Sequence, residues 1–128
     1  MKAVVCKTVG PAFDLAIEEL PSRPPDAGEV RVRIHAAGVS HSNLLTVIGR
    51  YHDRLDAPFV PGTEAAGEVL ESGANVAGLQ PGDRVVVHGV FATTPGCFAE
   101  EGGVGIALSA TDGSNVKSNR YRYWIAKP

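Results

Sequence analysis

The side chains able to do chemistry are concentrated in a few places. Ser40-His41-Ser42-Asn43 sets two hydroxyls, an imidazole and an amide side by side, Tyr51 follows Gly49-Arg50, and Thr63-Glu64 follows Pro61-Gly62. Serine and asparagine ahead of an apolar run cap a helix, because their oxygens satisfy backbone N–H groups left open in its first turn. His41 and Tyr51, taken as single residues, fit half-buried packing positions. Glu64 is a lone carboxylate with no second acid or base nearby in sequence, which favours a satisfied polar group over a general base. Cys6 and Cys97 lie far apart and lack the paired spacing of zinc ribbons or redox motifs, so they read as reduced structural thiols. Gly102-Gly103-Val104-Gly105 could cradle a phosphate only between a buried strand and a helix, with an acidic ribose partner about 20 residues on. That setting is missing, which leaves Gly102, Gly103 and Gly105 as weak nucleotide contacts. Asn119-Arg120-Tyr121-Arg122-Tyr123-Trp124 interleaves arginine with aromatics, as single-stranded nucleic-acid platforms do. On a chain of net charge -2, one such patch reads instead as a strand or an oligomer contact.

The elements that must position these residues are short. β-Branched and alternating runs recur between glycines and prolines, with no long 3.6-residue periodicity, which predicts a mainly β domain with minor helix. Lys2–Lys7 and Leu15–Glu19 read as a hairpin turning at Gly10-Pro11. Leu20–Gly28 holds three prolines that lack the N–H a ladder needs, and is a loop. Val30, Val32 and Ile34 alternate with Arg31, Arg33 and His35, which puts His35 on the wet face of a strand. Leu44, Leu45, Val47 and Ile48 share one face of a short helix that stops at Gly49. Thr63–Leu70 is a strand ending near Gly73, with a bulge or a close backbone approach at Gly67. Gln80-Pro81-Gly82-Asp83 spells a type II turn leading into the strand Arg84–Val87. Glu101–Asn119 reads as loop, and Tyr121, Tyr123 and Ile125 alternate as a last strand before Pro128. Strands at this spacing predict a partly open barrel, which limits exposed edges.

With 128 residues, 44% of them hydrophobic and 20% charged, the chain fits one soluble domain large enough for a real core. Lys7 interrupts the first apolar stretch before it reaches the length of a secretory segment, and no run is long enough to span a bilayer. A cytoplasmic setting follows, with neither nucleic acid nor membrane as partner.

Three stretches in order carry a family resemblance: Gly28-Glu29-Val30-Arg31-Val32-Arg33-Ile34-His35-Ala36-Ala37-Gly38-Val39-Ser40, Pro61-Gly62-Thr63-Glu64-Ala65-Ala66-Gly67-Glu68-Val69 and Gln80-Pro81-Gly82-Asp83-Arg84-Val85. With the first strand and Gly96-Cys97-Phe98-Ala99-Glu100, they resemble the medium-chain dehydrogenase/reductase superfamily over residues 1–100. The resemblance implies its GroES-like barrel, which packs on a Rossmann domain and leaves a cleft where substrate meets nicotinamide. Zinc members carry a cysteine after Ala-Ala-Gly-Val, a histidine in a Gly-His-Glu motif and an aspartate orienting that histidine. Here those positions are Ser40, Thr63 and Asn43, and hydroxyls and amides are poor zinc ligands. The lobe with four structural cysteines is missing too. The chain is therefore most similar to the zinc-independent quinone oxidoreductase and enoyl reductase branch, where NADPH delivers hydride to a quinone or enone while hydrogen-bond donors stabilise the carbonyl oxygen. By motif position, Ser40, His41 and Asn43 would line the nicotinamide side of the cleft, Tyr51 would flank the substrate, and Thr63 would occupy the vacated metal position. No metal is expected.

The resemblance stops at Glu100. The 23 residues from Ile106 to Pro128 are fewer than the ~30 of one βαβ unit, so no Rossmann fold is expected and residues 101–128 read as a divergent tail. The expectation is a truncated, NADPH-dependent quinone/enone oxidoreductase-like domain, inactive alone and binding no cofactor by itself. The alternative is a non-catalytic binding or assembly module, since an uncovered domain interface would expose apolar surface and favour homo-oligomers.

Overall fold

Alternating side chains build the first sheet. In the computed structural model, which describes residues 1–52, 54–89, 93–94, 96–105 and 123–126, β1 (Lys2–Thr8) pairs antiparallel with β2 (Asp14–Glu19). Their register runs from Lys2 opposite Glu19 to Cys6 opposite Leu15, and the N–H of Phe13 closes the turn on the Gly10 carbonyl at 3.1 Å. Ala3, Val5 and Cys6 are buried.

The second sheet has six strands, in the order β6-β7-β3-β4-β5-β8: Thr93–Thr94, Glu101–Gly105, Glu29–Ala37, Glu64–Ser72, Arg84–Gly89 and Tyr123–Ala126. All pairings in both sheets are antiparallel, so the described residues form no parallel βαβ layer. Val30, Val32, Ala65, Val69, Val85, Val87, Cys97 and Val104 make one buried cluster. At roughly 1.5–3 kcal/mol for each fully buried branched side chain, these valines supply much of the apolar drive. Arg33 and His35, on the opposite face of β3, are exposed as their alternation predicts. Single bridges from Ala3 to Ala99 and from Cys6 to Phe59 hold the hairpin against the larger sheet, with Val4 and Cys6 donating to the carbonyls of Phe98 and Phe59 at 2.8 and 2.7 Å. The architecture is mainly β with one short helix, as expected of a partly open GroES-like barrel.

Most punctuation residues sit where expected. Gly82, at φ +92°, completes a turn in which the Asp83 N–H reaches the Gln80 carbonyl at 3.0 Å. At Gly67 the β3–β4 register slips, and a Cβ there would overlap the Arg33 carbonyl. The loop reading of Glu101–Asn119 is wrong at its start, because Glu101–Gly105 forms β7 between β3 and β6. Glycines are poor strand formers, but β3 and β6 accept their backbone on both sides and Val104 reaches the core at 1% exposure. Residues 106–122 lie outside the described ones, as do Tyr121 and Pro128, while Tyr123–Ala126 forms the last strand on β5.

Candidate functional site

The β3–β4 register brings the two motif segments together. Ala37 at the end of β3 faces Ala65 near the start of β4, and just beyond them the Gly38 N–H donates to the Glu64 carbonyl at 3.1 Å. Ser40 and Thr63 therefore leave the same end of the sheet. Ahead of Thr63, Gly62 adopts φ +107°, and a Cβ there would stand 2.7 Å from the Phe98 nitrogen. Only glycine fits both conditions. Hydrogen bonds from Phe98 to the Pro61 carbonyl and from Cys97 to the Gly62 carbonyl, at 3.0 and 3.1 Å, fix that turn.

Ser40 is extended, at φ −108° and ψ 164°, and caps α1 (His41–Val47). Its backbone N–H donates to Asn43 Oδ1 at 2.9 Å, its hydroxyl lies 3.0 Å from the same oxygen, and the Ser42 hydroxyl lies 2.7 Å from the Ser40 hydroxyl. Asn43 Nδ2 reaches Thr63 Oγ1 at 3.4 Å, a long contact that ties helix to strand. Asn43 is 4% exposed, and every group it buries has a partner, as a polar side chain in a low-dielectric site requires.

The buried face of α1 differs from the apolar one read from the sequence. Asn43, Thr46 and Val47 point inward, whereas Leu44 is 46% exposed. The two polar residues are tolerated there because Thr46 donates to the Ser42 carbonyl at 2.8 Å and Asn43 joins the chain to Thr63. The Asn43 partnership lies across elements and the Thr46 one is a bond back to the helix's own preceding turn, so hydrophobic periodicity carries no trace of either.

Of the sequence candidates, Ser40, Asn43 and Thr63 are joined directly. His41 opens the helix on its exposed side. Tyr51 is half-buried after the helix, its N–H bonded to the Leu45 carbonyl at 3.1 Å and its ring tilted against His52 with centroids 4.2 Å apart. No hydrogen bond or ion pair described for the side chain of His41 joins it to the Ser40–Asn43–Thr63 group. Gly102, Gly103 and Gly105 sit inside β7 opposite Val32, Arg31 and Glu29, where their backbone is part of a ladder and not at a helix N-terminus. Sequence reasoning gave Ser42 a capping role only, and it missed Gly38, whose absent side chain leaves room for the Glu64 carboxyl. The serine repeat at 40 and 42 was the available signal for the first; nothing local marks the second.

Three shallow concavities lie elsewhere. One of about 310 Å³ runs between the hairpin and β3 past Ile17, Ile34 and Phe98, one of about 280 Å³ lies over β4 and β5, and one of about 170 Å³ is framed by Met1, Pro21, Arg31 and Gly103. None of the three includes the Ser40–Thr63 group, in which Asn43 is buried and Ser40 and Thr63 are half-buried. Val39 and Leu44 beside it are 84% and 46% exposed. Cys6, fully buried, has its thiol pushed above the usual range by burial, against the lowering effect of its hydrogen bond to the Thr8 carbonyl and with a smaller push from the negative charge of Asp14.

The barrel and the motifs around this group define the class. Residues 26–115 match the alcohol dehydrogenase GroES-like domain, and the chain belongs to that family, the barrel domain of medium-chain dehydrogenases/reductases. Among curated proteins it is 43% identical over 72 residues, 56% of the chain, to quinone oxidoreductase-like protein 2 of Bos taurus, and 39% identical over 97 residues, 76% of the chain, to an alcohol dehydrogenase of Rhizobium meliloti. Among solved structures, the quinone oxidoreductase of Thermus thermophilus, known also as its NADPH complex, aligns with a TM-score of 0.62 at 32% identity over 82% of the chain. The chain spans 21% and 28% of the two curated relatives and 30% of the solved one. No described helix is long and apolar enough to cross a membrane.

Proposed function

We propose that this domain forms the substrate-side wall of a metal-free, NADPH-dependent reductase of quinones or enones, and that it transfers no hydride without a second, nucleotide-binding fold. The observation that carries this reading is the hydrogen-bonded chain of neutral groups Ser42, Ser40, Asn43 and Thr63, in which Ser40 and Thr63 stand where zinc members resemble one another in carrying ligands and Asn43 stands where they carry the orienting aspartate. Three hydroxyls and an amide supply no thiolate, imidazole or carboxylate, so they do not fit a divalent zinc ion. They do suit a carbonyl oxygen, whose developing charge is stabilised by hydrogen-bond donors held in place before reaction. Ser40, His41, Asn43, Tyr51 and Thr63 make up this wall in the proposal.

Nicotinamide, when bound, supplies the hydride. The glycines of this chain lie in a ladder, and its one described helix has seven residues and a first turn already capped, so the cradle for the dinucleotide belongs to the other fold. The supporting parallels are the quinone oxidoreductase relatives and the NADPH complex of the Thermus enzyme. Calorimetric titration of the 128-residue chain with NADPH should show no saturable heat; micromolar binding would overturn the division of labour. Metal analysis after dialysis against zinc should find well under one equivalent, and a tight stoichiometric ion would end the metal-free reading.

The exposure of Val39 and Leu44 beside the wall favours a second reading, in which the domain is a non-catalytic module and another copy covers this surface. Light scattering separates the two: a dimer lost on Leu44→Ser favours assembly, whereas a monomer at all concentrations favours the reductase wall.

A further inference from the structure

We propose that Thr63 is the hydrogen-bond donor to the substrate carbonyl and that Asn43 is the positioning residue that makes it one; this rests on the reading above that the wall faces substrate. The direction of every hydrogen bond in the chain follows from a single backbone group. The Ser40 N–H can only donate, so the Asn43 atom 2.9 Å from it is the oxygen. The amide nitrogen must then face Thr63, and Nδ2 has protons but no lone pair to offer. Thr63 Oγ1 therefore accepts from Asn43 and cannot return its own proton.

The same logic runs toward the helix. The Ser40 hydroxyl lies 3.0 Å from Asn43 Oδ1, an acceptor, so its proton goes there, and the Ser42 hydroxyl at 2.7 Å donates to Ser40. All the hydrogen bonds of the chain are thus oriented; besides the second amide proton of Asn43, on a side chain only 4% exposed, the proton left over is that of Thr63. No described residue accepts it. Thr63 is only partly buried, and it leads into β4. A ligand oxygen with lone pairs completes the chain, whereas a group that must donate meets another donor.

Asparagine is required for this polarity. With aspartate at position 43, the carboxylate still accepts from Ser40, but its second oxygen also accepts, so the Thr63 proton turns inward and the outward face of Oγ1 becomes an acceptor. Asn43→Asp is nearly isosteric; burial of position 43 opposes the added charge, and the helix N-terminus and the Ser40 donors offset part of that cost. The substitution reverses one hydrogen bond while keeping the packing.

The test uses the full chain with two small probes sharing one ring, cyclohexenone and the allylic alcohol cyclohexenol, titrated by ligand-observed NMR. The ratio of their affinities is the readout, because a structural defect weakens both alike. Wild type and Thr63→Ser should favour the ketone. Thr63→Val should lower that preference by roughly threefold to tenfold, the range expected for one net hydrogen bond, and Asn43→Asp should shift it toward the alcohol. An unchanged ratio in both Thr63→Val and Asn43→Asp would overturn the assignment. The side-chain amide resonances of Asn43 give a ligand-free arm: Thr63→Val should move them and Thr63→Ser should not. If Thr63→Val leaves them in place, the donor assignment falls whatever the probes do. If they move as expected while neither probe saturates any protein, the orientation of the chain stands and the substrate-wall reading is what fails.

Discussion

The β3–β4–β5 core and the junction between α1 and β4 are adjacent, yet they are built on opposite terms. The core is a cluster of valines from alternating strands, any one of which could be exchanged for another apolar side chain of similar size with modest loss. The junction is a directional chain in which each of four polar residues has an assigned donor or acceptor role. The core therefore governs whether the domain folds, and under the proposal above the junction governs what the folded wall offers to a ligand. Stability and recognition should be separable by mutation.

The largest effect expected is on folding. Gly67→Ala drives a Cβ into the Arg33 carbonyl, backbone against backbone, and should cost about 3 kcal/mol or more, read as a lower urea midpoint or loss of the folded state. Val32→Ala, at a position with no exposure, should cost about 2–3 kcal/mol through lost transfer energy and the cavity left behind. If the surviving Val32→Ala protein also changes its ketone preference, the separation of core from junction is broken.

Asn43→Ala comes next, at about 1–3 kcal/mol, since it leaves the Ser40 N–H and the Thr63 hydroxyl without their partner. Ser42→Ala, at the far end of the chain, should cost about 0.5 kcal/mol and leave the probe ratio unchanged, because the Ser40 proton is still held by Asn43. A ratio that changed in Ser42→Ala would show that the donor pattern is set from the helix and not by Asn43.

The smallest effect is set by pH. The Cys6 thiol has a folded pKa above its ordinary value of 9.0, so above about pH 9 the unfolded chain loses this proton first and stability falls as pH rises. Below that value both states hold the proton and the contribution is complete. The exposed pair of Lys7 and Glu18 has the same sign but acts later, since hydrogen bonding to Glu18 raises Lys7 from an ordinary 10.5. Urea midpoints between pH 8 and 10 should therefore decline in the wild type and flatten in Cys6→Ala, and equal slopes in the two proteins would remove burial of this thiol as the cause.

Some features were written locally and could be read. The hairpin, the alternation of β3, the Gly82 turn and the Ser40 cap depend on neighbours within a few residues, so side-chain period and the steric freedom of glycine suffice to place them. Ser40, Asn43 and Thr63 were also named together through their motif positions, and hydrogen bonds join them in the fold.

What only the tertiary structure decided is how those pieces meet. β7 forms from a glycine-rich segment because β3 and β6 hold it from both sides, a long-range gain that outweighs local preference. The helix buries Asn43 and Thr46 ahead of Leu44 because Asn43 finds a partner in Thr63, just ahead of β4, and Thr46 one in the preceding turn of the helix. A chain sequence fixes which side chains can donate or accept, but the direction of each hydrogen bond depends on which atom stands opposite, and that is settled only when two distant segments share one end of a sheet.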